Sequence, residues 1–305
     1  MRTLAIVTAA VLALPASALW DAAGHRTVAA IAWEHMTPRA RARAVELLLH
    51  GPALANFAAL RPAPPAQGSE AARDRALFLN AATWADLVRS RDQPWHAYHR
   101  PTWHYADFYW DVEHGQPHDI PGTGPDSLNA AERIVALRAT LADANAADTT
   151  KAVALAWLLH LVGDVHQPLH CSSRVTPEDT LPRGDEGGNT FRLDDNRNLH
   201  AYWDRILSQT TAPGPGEDSI AYVTRLAHRI EGTHALASLS EPAASADVLA
   251  WEGEGLHVAQ TIVYKGVTRG AAPPAAYEVE ALKVAERRIA LAGYRLAALL
   301  NMVLK

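Results

Sequence analysis

Two polar residues stand inside an apolar stretch near the middle of the chain. His160 and Asp164 are four residues apart within LAWLLHLVGDVHQPLH, residues 155–170. On a helix, side chains with this spacing leave one face a turn apart and can converge on one ion. Residues 152–165 are apolar nearly all round, which predicts a buried helix, and a buried aspartate is costly unless it is paired or bound to metal. A metal site and a core histidine hydrogen-bonded to a core aspartate both fit this stretch taken alone.

Further residues of the same chemistry surround this pair. Pro168 cannot continue the helical backbone, so the helix should kink or stop near Gln167 and turn His170 towards the same site. Histidine and carboxylate together form the ligand mixture that zinc accepts, and there are enough of them for more than one ion. The candidates are the N-terminus that would form at Trp20 if residues 1–19 are removed, together with His25, Asp86, His104, His160, Asp164, His170, His200 and Asp204. The last two repeat the four-residue spacing.

Helices are expected to position these residues around the central one. Thr37 as N-cap and Pro38 in the first turn predict a helix that continues over residues 39–50. Asp126 or Ser127 is expected to cap a helix reaching about residue 144, and Asp148-Thr149 to cap the central helix. Helical spacing also covers residues 28–33, 71–89, 199–207, 219–230, 244–263 and 277–304, the last with Arg287, Arg288 and Arg295 on the outside.

Two segments do not follow a helical period. Residues 90–124 are rich in aromatics, proline and glycine, and predict an ordered irregular excursion. Residues 190–199 could form a small β-hairpin. No βαβ pattern, internal repeat or domain boundary is visible, so the sequence predicts an all-α fold with a single mainly helical domain over residues 20–305.

The first nineteen residues have the pattern of a leader. Arg2 precedes an apolar run and a small-residue cleavage zone, which predicts a signal peptide over residues 1–19 and a secreted or periplasmic protein. Cleavage after Ala18 would leave Leu19 first, and cleavage after Leu19 would leave Trp20 first. No later stretch is apolar and long enough to span a bilayer, and we expect a monomer without a membrane partner.

Composition limits the classes of function. Without Arg2 the formal charge changes from −5 to −6, so the chain is not a general polyanion binder, and positive charge for an anionic substrate must be local. Cys171 is the only cysteine, so no intrachain disulfide can form. It is expected to be a small buried hydrophobe, with a role as a metal ligand beside His170 as the alternative.

Taken together, the motifs resemble a known family. The chain is similar to the zinc-dependent, single-strand-preferring nucleases typified by mung bean nuclease. The match extends in one order from Trp20 to Asn301. It rests on Trp20-x4-His25, Trp84-Ala-Asp86, His104-Tyr-x-Asp107, His160-x3-Asp164-x5-His170 with Gln167-Pro168-Leu169 inside it, Gly187-Gly-Asn189 and His200-x3-Asp204.

The resemblance implies an all-α fold of the phospholipase C/single-strand nuclease type, with three zinc ions at the bottom of a cleft. It assigns one ion to Asp86, His104, His160 and Asp164, and a second to His170, His200 and Asp204. The third would take His25, Asp164 as a bridging carboxylate, and the α-amino and carbonyl groups of Trp20. If Leu19 stays, the free amine is displaced and this third site should weaken.

The same resemblance implies a substrate and a reaction. Arg89 would contact phosphate, Tyr105 would stack on a base, and Asp107 would accept hydrogen bonds from the base edge. With Asp86 and Asp164 as catalytic residues, the chain would cleave single-stranded DNA and RNA to 5′-phosphorylated products and act as a 3′-nucleotidase. The alternatives are a zinc-dependent phospholipase C, a zinc-storage protein without catalysis, and purely structural zinc.

Overall fold

The structure is a computed structural model that describes residues 20–63, 68–125, 127–194, 197–242 and 247–305. The expected signal peptide, residues 1–19, lies outside the described residues. Eleven α-helices lie in the described part of the chain: α1 (Ala22–His35), α2 (Pro38–Leu49), α3 (Glu70–Ala81), α4 (Trp84–Leu87), α5 (Ala130–Ala142), α6 (Asp148–Asp164), α7 (Leu199–Asp204), α8 (Ile206–Thr210), α9 (Ser219–Thr233), α10 (Val248–Val258) and α11 (Ala275–Val303).

Helix α6 lies at the centre of the fold. Its residues from Ala154 to Asp164 are all buried, and α1, α2, α4, α5 and α11 pack around it. This agrees with the all-round apolar pattern, since a helix without a polar face must be covered on every side. The predicted cap differs, because Ala147 occupies the N-cap position without a side-chain hydrogen bond. Asp148 is the first helical residue, and its carboxylate pairs with Arg43 of α2.

Helices α1 and α11 approach closely on one side of α6. A Cβ added at Gly293 would lie 2.5 Å from Cβ of Ile31, so only glycine permits this approach. The prediction that α11 carries Arg288 and Arg295 on its outside is wrong for both, which are 3% and 1% exposed. Their long apolar stems and planar guanidinium groups are accommodated because Glu254 of α10 neutralises them inside the protein.

The helix ends agree with some of the predicted capping residues and differ from others. Thr37 caps α2 by accepting a hydrogen bond from Ala40 N at 3.2 Å, as predicted. Helix α5 begins at Ala130, where Asn129 accepts from Glu132 N, so the expected cap at Ser127 is wrong, and Asp126 lies outside the described residues. Helix α10 continues as a π-helical turn, Ala259–Val263. None of the helices among the described residues has the length and apolar character that crossing a membrane requires.

A small sheet interrupts the helical pattern. Strand β1 (Tyr109–Glu113) pairs antiparallel with β2 (Gln116–Asp119) and parallel with β3 (Ser173–Arg174). The segment 90–124 is therefore less irregular than predicted, and it also contains 3₁₀ turns at Pro94–Tyr98 and Pro101–His104. The hairpin expected near 190–199 is reduced to one antiparallel bridge, Arg192 with Asn198. The fold is mainly α-helical, as the sequence predicts.

Candidate metal centre

Three groups of histidine and aspartate side chains converge beside the end of α6. In each group the potential ligand atoms lie within 4.8 Å of one another. All of these residues were predicted from the sequence. The groups are His25, His160 and Asp164; Asp86, His104 and His160; and His170, His200 and Asp204.

Helix α6 and the turn after it connect the three groups. The α6 residues His160 and Asp164 face one side, with His160 Nε2 3.2 Å from Asp164 Oδ2. Pro168 starts a 3₁₀ turn, Pro168–Cys171, that presents His170 to the same region. His200 and Asp204 repeat the arrangement on α7, where Nε2 and Oδ2 are 3.3 Å apart. Helix α1 supplies His25, α4 supplies Asp86, and His104 ends the 3₁₀ turn after α4.

Backbone carbonyls fix the protonation of three of these histidines. Nδ1 of His160 is 2.9 Å from Ala82 O, Nδ1 of His170 is 2.6 Å from His104 O, and Nδ1 of His200 is 2.8 Å from Gly187 O. A carbonyl oxygen only accepts, so Nδ1 must carry the proton in each ring. In the neutral ring the lone pair is then on Nε2, the atom that points into the clusters, so a metal would bind there.

Asp164 is surrounded by imidazole rings. Its oxygens lie 3.4 Å from His25 Nε2 and 3.0 Å from His104 Nδ1, and the residue is fully buried. Burial alone would raise the pKa of the Asp164 carboxyl, but the charges of His160 and His170 lower that pKa well below its usual value. Burial lowers the pKa of both His25 and His104. Burial opposes a charge on His160 as well, but the carboxylates of Asp164 and Asp86 outweigh it and raise the pKa of His160 to about 9. The ionised carboxylate therefore faces neutral rings at His25 and His104, whereas a metal that binds His160 must displace a proton from its ring.

Unsatisfied polar atoms test whether this donor set fits a metal. Buried polar groups normally have hydrogen-bond partners, because an unpaired one costs about 1–3 kcal/mol. Here buried ligand atoms without a partner concentrate in the three groups. They are His25 Nδ1 and Nε2, His104 Nε2, Asp164 Oδ1, His170 Nε2 and Asp204 Oδ2. Their concentration at one place and their chemistry fit zinc, which would satisfy several of them at once.

Trp20 lies beside these groups as predicted. Its side chain is fully buried, and its indole Nε1 donates to Gly163 O at 3.1 Å. The next residue, Asp21, donates its backbone N–H to Asp204 O at 2.9 Å and caps α1 through its carboxylate. The chain segment that begins at Trp20 is therefore tied both to α6 and to α7.

A cleft of about 510 Å³ opens above part of the site. His104, His170, His200 and Asp204 line it, whereas His25, His160 and Asp164 lie below its surface. A substrate in the cleft would thus meet the His170, His200 and Asp204 group directly.

The predicted substrate-binding residues line the wall of the cleft. They are Arg89, Tyr105 and Asp107. Arg89 is 40% exposed in its side chain, and its NH1 lies 3.5 Å from Asp86 Oδ1. Tyr105 is 38% exposed. Burial, aided by the charge of Asp185, raises the pKa of Asp107 to about 7, so its carboxyl can both donate and accept a hydrogen bond near neutral pH.

The sequence alone assigned no role to several residues of the site. Gln167 donates from Nε2 to Asp204 Oδ1 at 2.8 Å. Asn189, Asn198 and Glu186 also line the cleft. A signal for this loop was present in the Gly187-Gly188 pair: Gly187 has a φ of 63°, and a Cβ there would lie 2.4 Å from Leu169 O.

One further acidic group lies outside the site. Asp111, Glu113 and His118 meet on one face of the β1–β2 hairpin, with His118 Nδ1 at 3.1 Å and 3.4 Å from the two carboxylates. These side chains are partly exposed and paired with one another, so this group resembles a surface ion pair.

Comparison with known proteins yields a consistent set of similarities. A sequence profile of the S1/P1 nuclease family matches residues 20–305. Nuclease P1 of Penicillium citrinum is 24% identical over 308 residues, covering 93% of this chain and 97% of that protein. Nuclease S1 of Aspergillus oryzae is 26% identical over 242 residues, covering 74% and 79%. Endonuclease 5 of Arabidopsis thaliana is 31% identical over 167 residues. This match covers 49% of the present chain and 50% of the plant protein, so the chain spans about half the length of that relative.

Proposed function

The chain belongs to the S1/P1 nuclease family, and we propose that it hydrolyses phosphodiester bonds in single-stranded DNA and RNA at a centre of three zinc ions. The family resemblance drawn from the sequence is confirmed by the match over residues 20–305. The activity, substrate and ion count are our inference. They follow from the placement of the buried, unpartnered ligand atoms beside a cleft.

We assign the ligands as the sequence suggested. Asp86, His104, His160 and Asp164 would hold one ion. His170, His200 and Asp204 would hold a second, and His25, Asp164 and the main chain of Trp20 a third. The close grouping of His25 with His160 and Asp164 supports a carboxylate shared between two ions.

Bound zinc would supply Lewis acidity, lowering the pKa of a coordinated water to about 7 and neutralising charge on phosphate oxygens. The residues of this chain orient the reaction. Asp86 and Asp164 would supply carboxylate ligands that hold the ions in place. The Arg89 guanidinium can reach phosphate from the cleft wall, where it is 40% exposed. The one thiol, Cys171, is fully buried, and burial raises its pKa well above the usual value, so it is unsuited to act as a nucleophile.

Preference for a single strand would come from Tyr105 and Asp107 in the wall of the cleft. Tyr105 presents a partly exposed ring next to Asp107. A base can stack on this ring only when it is unpaired, and such stacking contributes about 1–3 kcal/mol for any base. Asp107 would then hydrogen-bond to the base edge. This arrangement favours single strands with little choice of sequence and is compatible with a 3′-nucleotidase activity on a terminal nucleotide.

We further propose that the protein acts as a monomer in the periplasm or outside the cell, after residues 1–19 are removed. The third ion depends on this processing, because the α-amino group of Trp20 is a ligand only when Trp20 comes first. Protein sequencing of the mature N-terminus, combined with the zinc content, tests this point. Three ions bound to a chain that still begins at Leu19 would contradict the role of the Trp20 amine.

The activity is tested by incubating the mature, zinc-loaded protein with a short single-stranded oligonucleotide, its duplex and a phosphatidylcholine dispersion. Products are identified by mass, and a chelator control accompanies each reaction. We expect chelator-sensitive fragments with 5′-phosphates, formed faster from the single strand. Lipid cleavage without nucleic-acid cleavage would instead assign a phospholipase C activity, and a zinc-loaded but inert protein would indicate storage or structural zinc.

A further inference from the structure

Gln167 occupies a buried position between the end of α6 and helix α7. Its side chain has no exposed surface, its Nε2 donates to Asp204 Oδ1 at 2.8 Å, and its Oε1 accepts from Leu169 N at 2.6 Å. The amide orientation is determined by its partners, because a backbone N–H needs an acceptor and an ionised carboxylate needs a donor. Glutamine is one of few side chains that can serve both.

This hydrogen bond holds one carboxylate oxygen of Asp204 and leaves the other without a hydrogen bond. Oδ1 is bonded to Gln167, whereas Oδ2 is buried and unpartnered. Oδ2 lies 3.3 Å from His200 Nε2, and Oδ1 lies 3.7 Å from His170 Nε2, which is also buried without a hydrogen-bond partner. Rotation of the Asp204 carboxylate would break the bond to Gln167 and turn Oδ2 away from His200 Nε2.

The turn that carries Gln167 is fixed by two arginines of α11. Arg288 Nε donates to His166 O at 3.1 Å, and Arg295 NH1 donates to His166 Nε2 at 2.9 Å. His166 Nδ1 donates to Val162 O, which leaves its Nε2 as the acceptor. Both arginines bond to Glu254 at 2.7 Å. His166, the residue before Gln167, is thus fixed through its backbone and its ring. This restricts the position of the Gln167 backbone, from which its side chain extends towards Asp204.

We propose that Gln167 is a positioning residue that directs Oδ2 of Asp204 to the ion held by His170 and His200, an inference that rests on the proposed function. Hydrogen bonds to ligating carboxylates orient the ligand and tune its affinity, and their loss commonly weakens metal binding by about 10–100-fold. The effect is specific to one of the three ions, because Gln167 bonds to no ligand of the other two groups among the described residues.

The substitution Gln167→Glu tests this assignment. Glutamate keeps the length of the side chain and the acceptor for Leu169 N, but an ionised carboxylate cannot donate to Asp204. Gln167→Met has a similar volume and removes both bonds without burying a charge. Gln209→Glu is the matched control, since Gln209 is an exposed glutamine that bonds to Arg197 and to the backbone of Tyr202 but to no residue of the clusters.

Each mature protein, beginning at Trp20, is loaded with zinc, dialysed against graded concentrations of a chelator and analysed for bound zinc and for circular dichroism. We expect one ion to leave the Gln167 variants at a free-zinc concentration about 10–100-fold higher than in the unsubstituted protein. The other two ions act as an internal control and should leave at the same free-zinc concentration as in the unsubstituted protein. Nuclease activity should return when free zinc is raised by the same factor.

The outcomes separate this inference from the proposed function. An unsubstituted protein that binds no zinc overturns both. Three ions bound normally in a folded Gln167→Glu or Gln167→Met variant overturn the role of Gln167 alone, as does simultaneous weakening of all three. If both variants fail to fold even in excess zinc, Gln167 serves the fold and the positioning role is also overturned.

Discussion

Gly163 offers a sharp test of how closely the metal centre is packed. It is the penultimate residue of α6, and an added Cβ would lie 2.8 Å from His25 Nδ1 and 3.2 Å from Cε1. The His25 ring has little freedom to move, because it is fully buried and stacks on His160 with ring centroids 3.8 Å apart. Gly163→Ala should therefore displace His25 from the position in which it faces Asp164.

Two opposing effects set the magnitude. Alanine favours a helix over glycine by about 1 kcal/mol. Overpacking of a buried position costs about 1–3 kcal/mol. The metal-free Gly163→Ala protein should thus lose about 0–2 kcal/mol of unfolding free energy, and Tm should fall by about 2–4 °C for each kcal/mol lost. The zinc-loaded protein should in addition lose the ion assigned to His25.

Gly253→Ala is the control for this experiment. Gly253 is an exposed position inside α10, and a Cβ there would have no neighbour within 4 Å. The Gly253→Ala protein should gain about 0.5–1 kcal/mol of unfolding free energy from helix propensity alone. Calorimetry of the metal-free proteins and zinc analysis of the loaded ones provide the comparison. If Gly163→Ala is as stable as Gly253→Ala and binds three ions, the close packing of His25 against α6 is refuted.

Three further substitutions, the last with a control at a partly exposed ion pair, probe the charges of the interior. Asp164→Asn should lower zinc content and activity together, the latter by at least about 100-fold, because this carboxylate would serve two ions; an active variant with full zinc would exclude the bridging role. Burial raises the pKa of Glu252 to about 7, so the folded state retains a proton that the unfolded chain releases near pH 4.5. The free energy of unfolding should therefore fall as the pH rises from about 4.5 to about 7 and level off above that. Glu252→Gln should remove about 1–3 kcal/mol of that pH dependence in urea unfolding of the metal-free protein, and parallel curves would contradict the assignment. Arg295→Met should cost about 3–5 kcal/mol because it leaves Glu254 and His166 poorly paired, whereas Arg287→Met, in a partly exposed ion pair, should cost below about 1 kcal/mol; equal losses in thermal unfolding would contradict this difference.

The sequence predicted most of the helical framework because the relevant signals are local. The all-round apolar pattern of α6 and the Thr37 cap of α2 are such signals, and both agree with the structure. The β1–β2 hairpin was missed because its strands are short and largely polar, and its turn depends on positive φ angles at His114 and Gly115. The pattern alone could not reveal that Arg295 is buried, since its partner Glu254 comes from another helix.

The sequence predicted the residues of the three groups as candidate metal ligands, but their mutual geometry was not contained in any single stretch. Spacing of four residues relates His160 to Asp164 and His200 to Asp204. The contact between His25 and Asp164 depends on the packing of α1 against α6, and it was inferred through the family resemblance. Gln167 was not assigned a role, because its partner Asp204 lies 37 positions away and only the folded turn brings them together.

The three ligand groups also bear on how a chain with a single cysteine is held together. His25 and His160 are more than a hundred positions apart in the sequence, and they meet in one group. A cross-link that closes a loop of about 100 residues can stabilise a fold by up to about 4–5 kcal/mol in the chain-entropy account. Ions bound at these groups would act as such cross-links. Because no sulfur bond contributes, the resistance of the protein to heat and proteases should respond strongly to chelators and hardly at all to reducing agents.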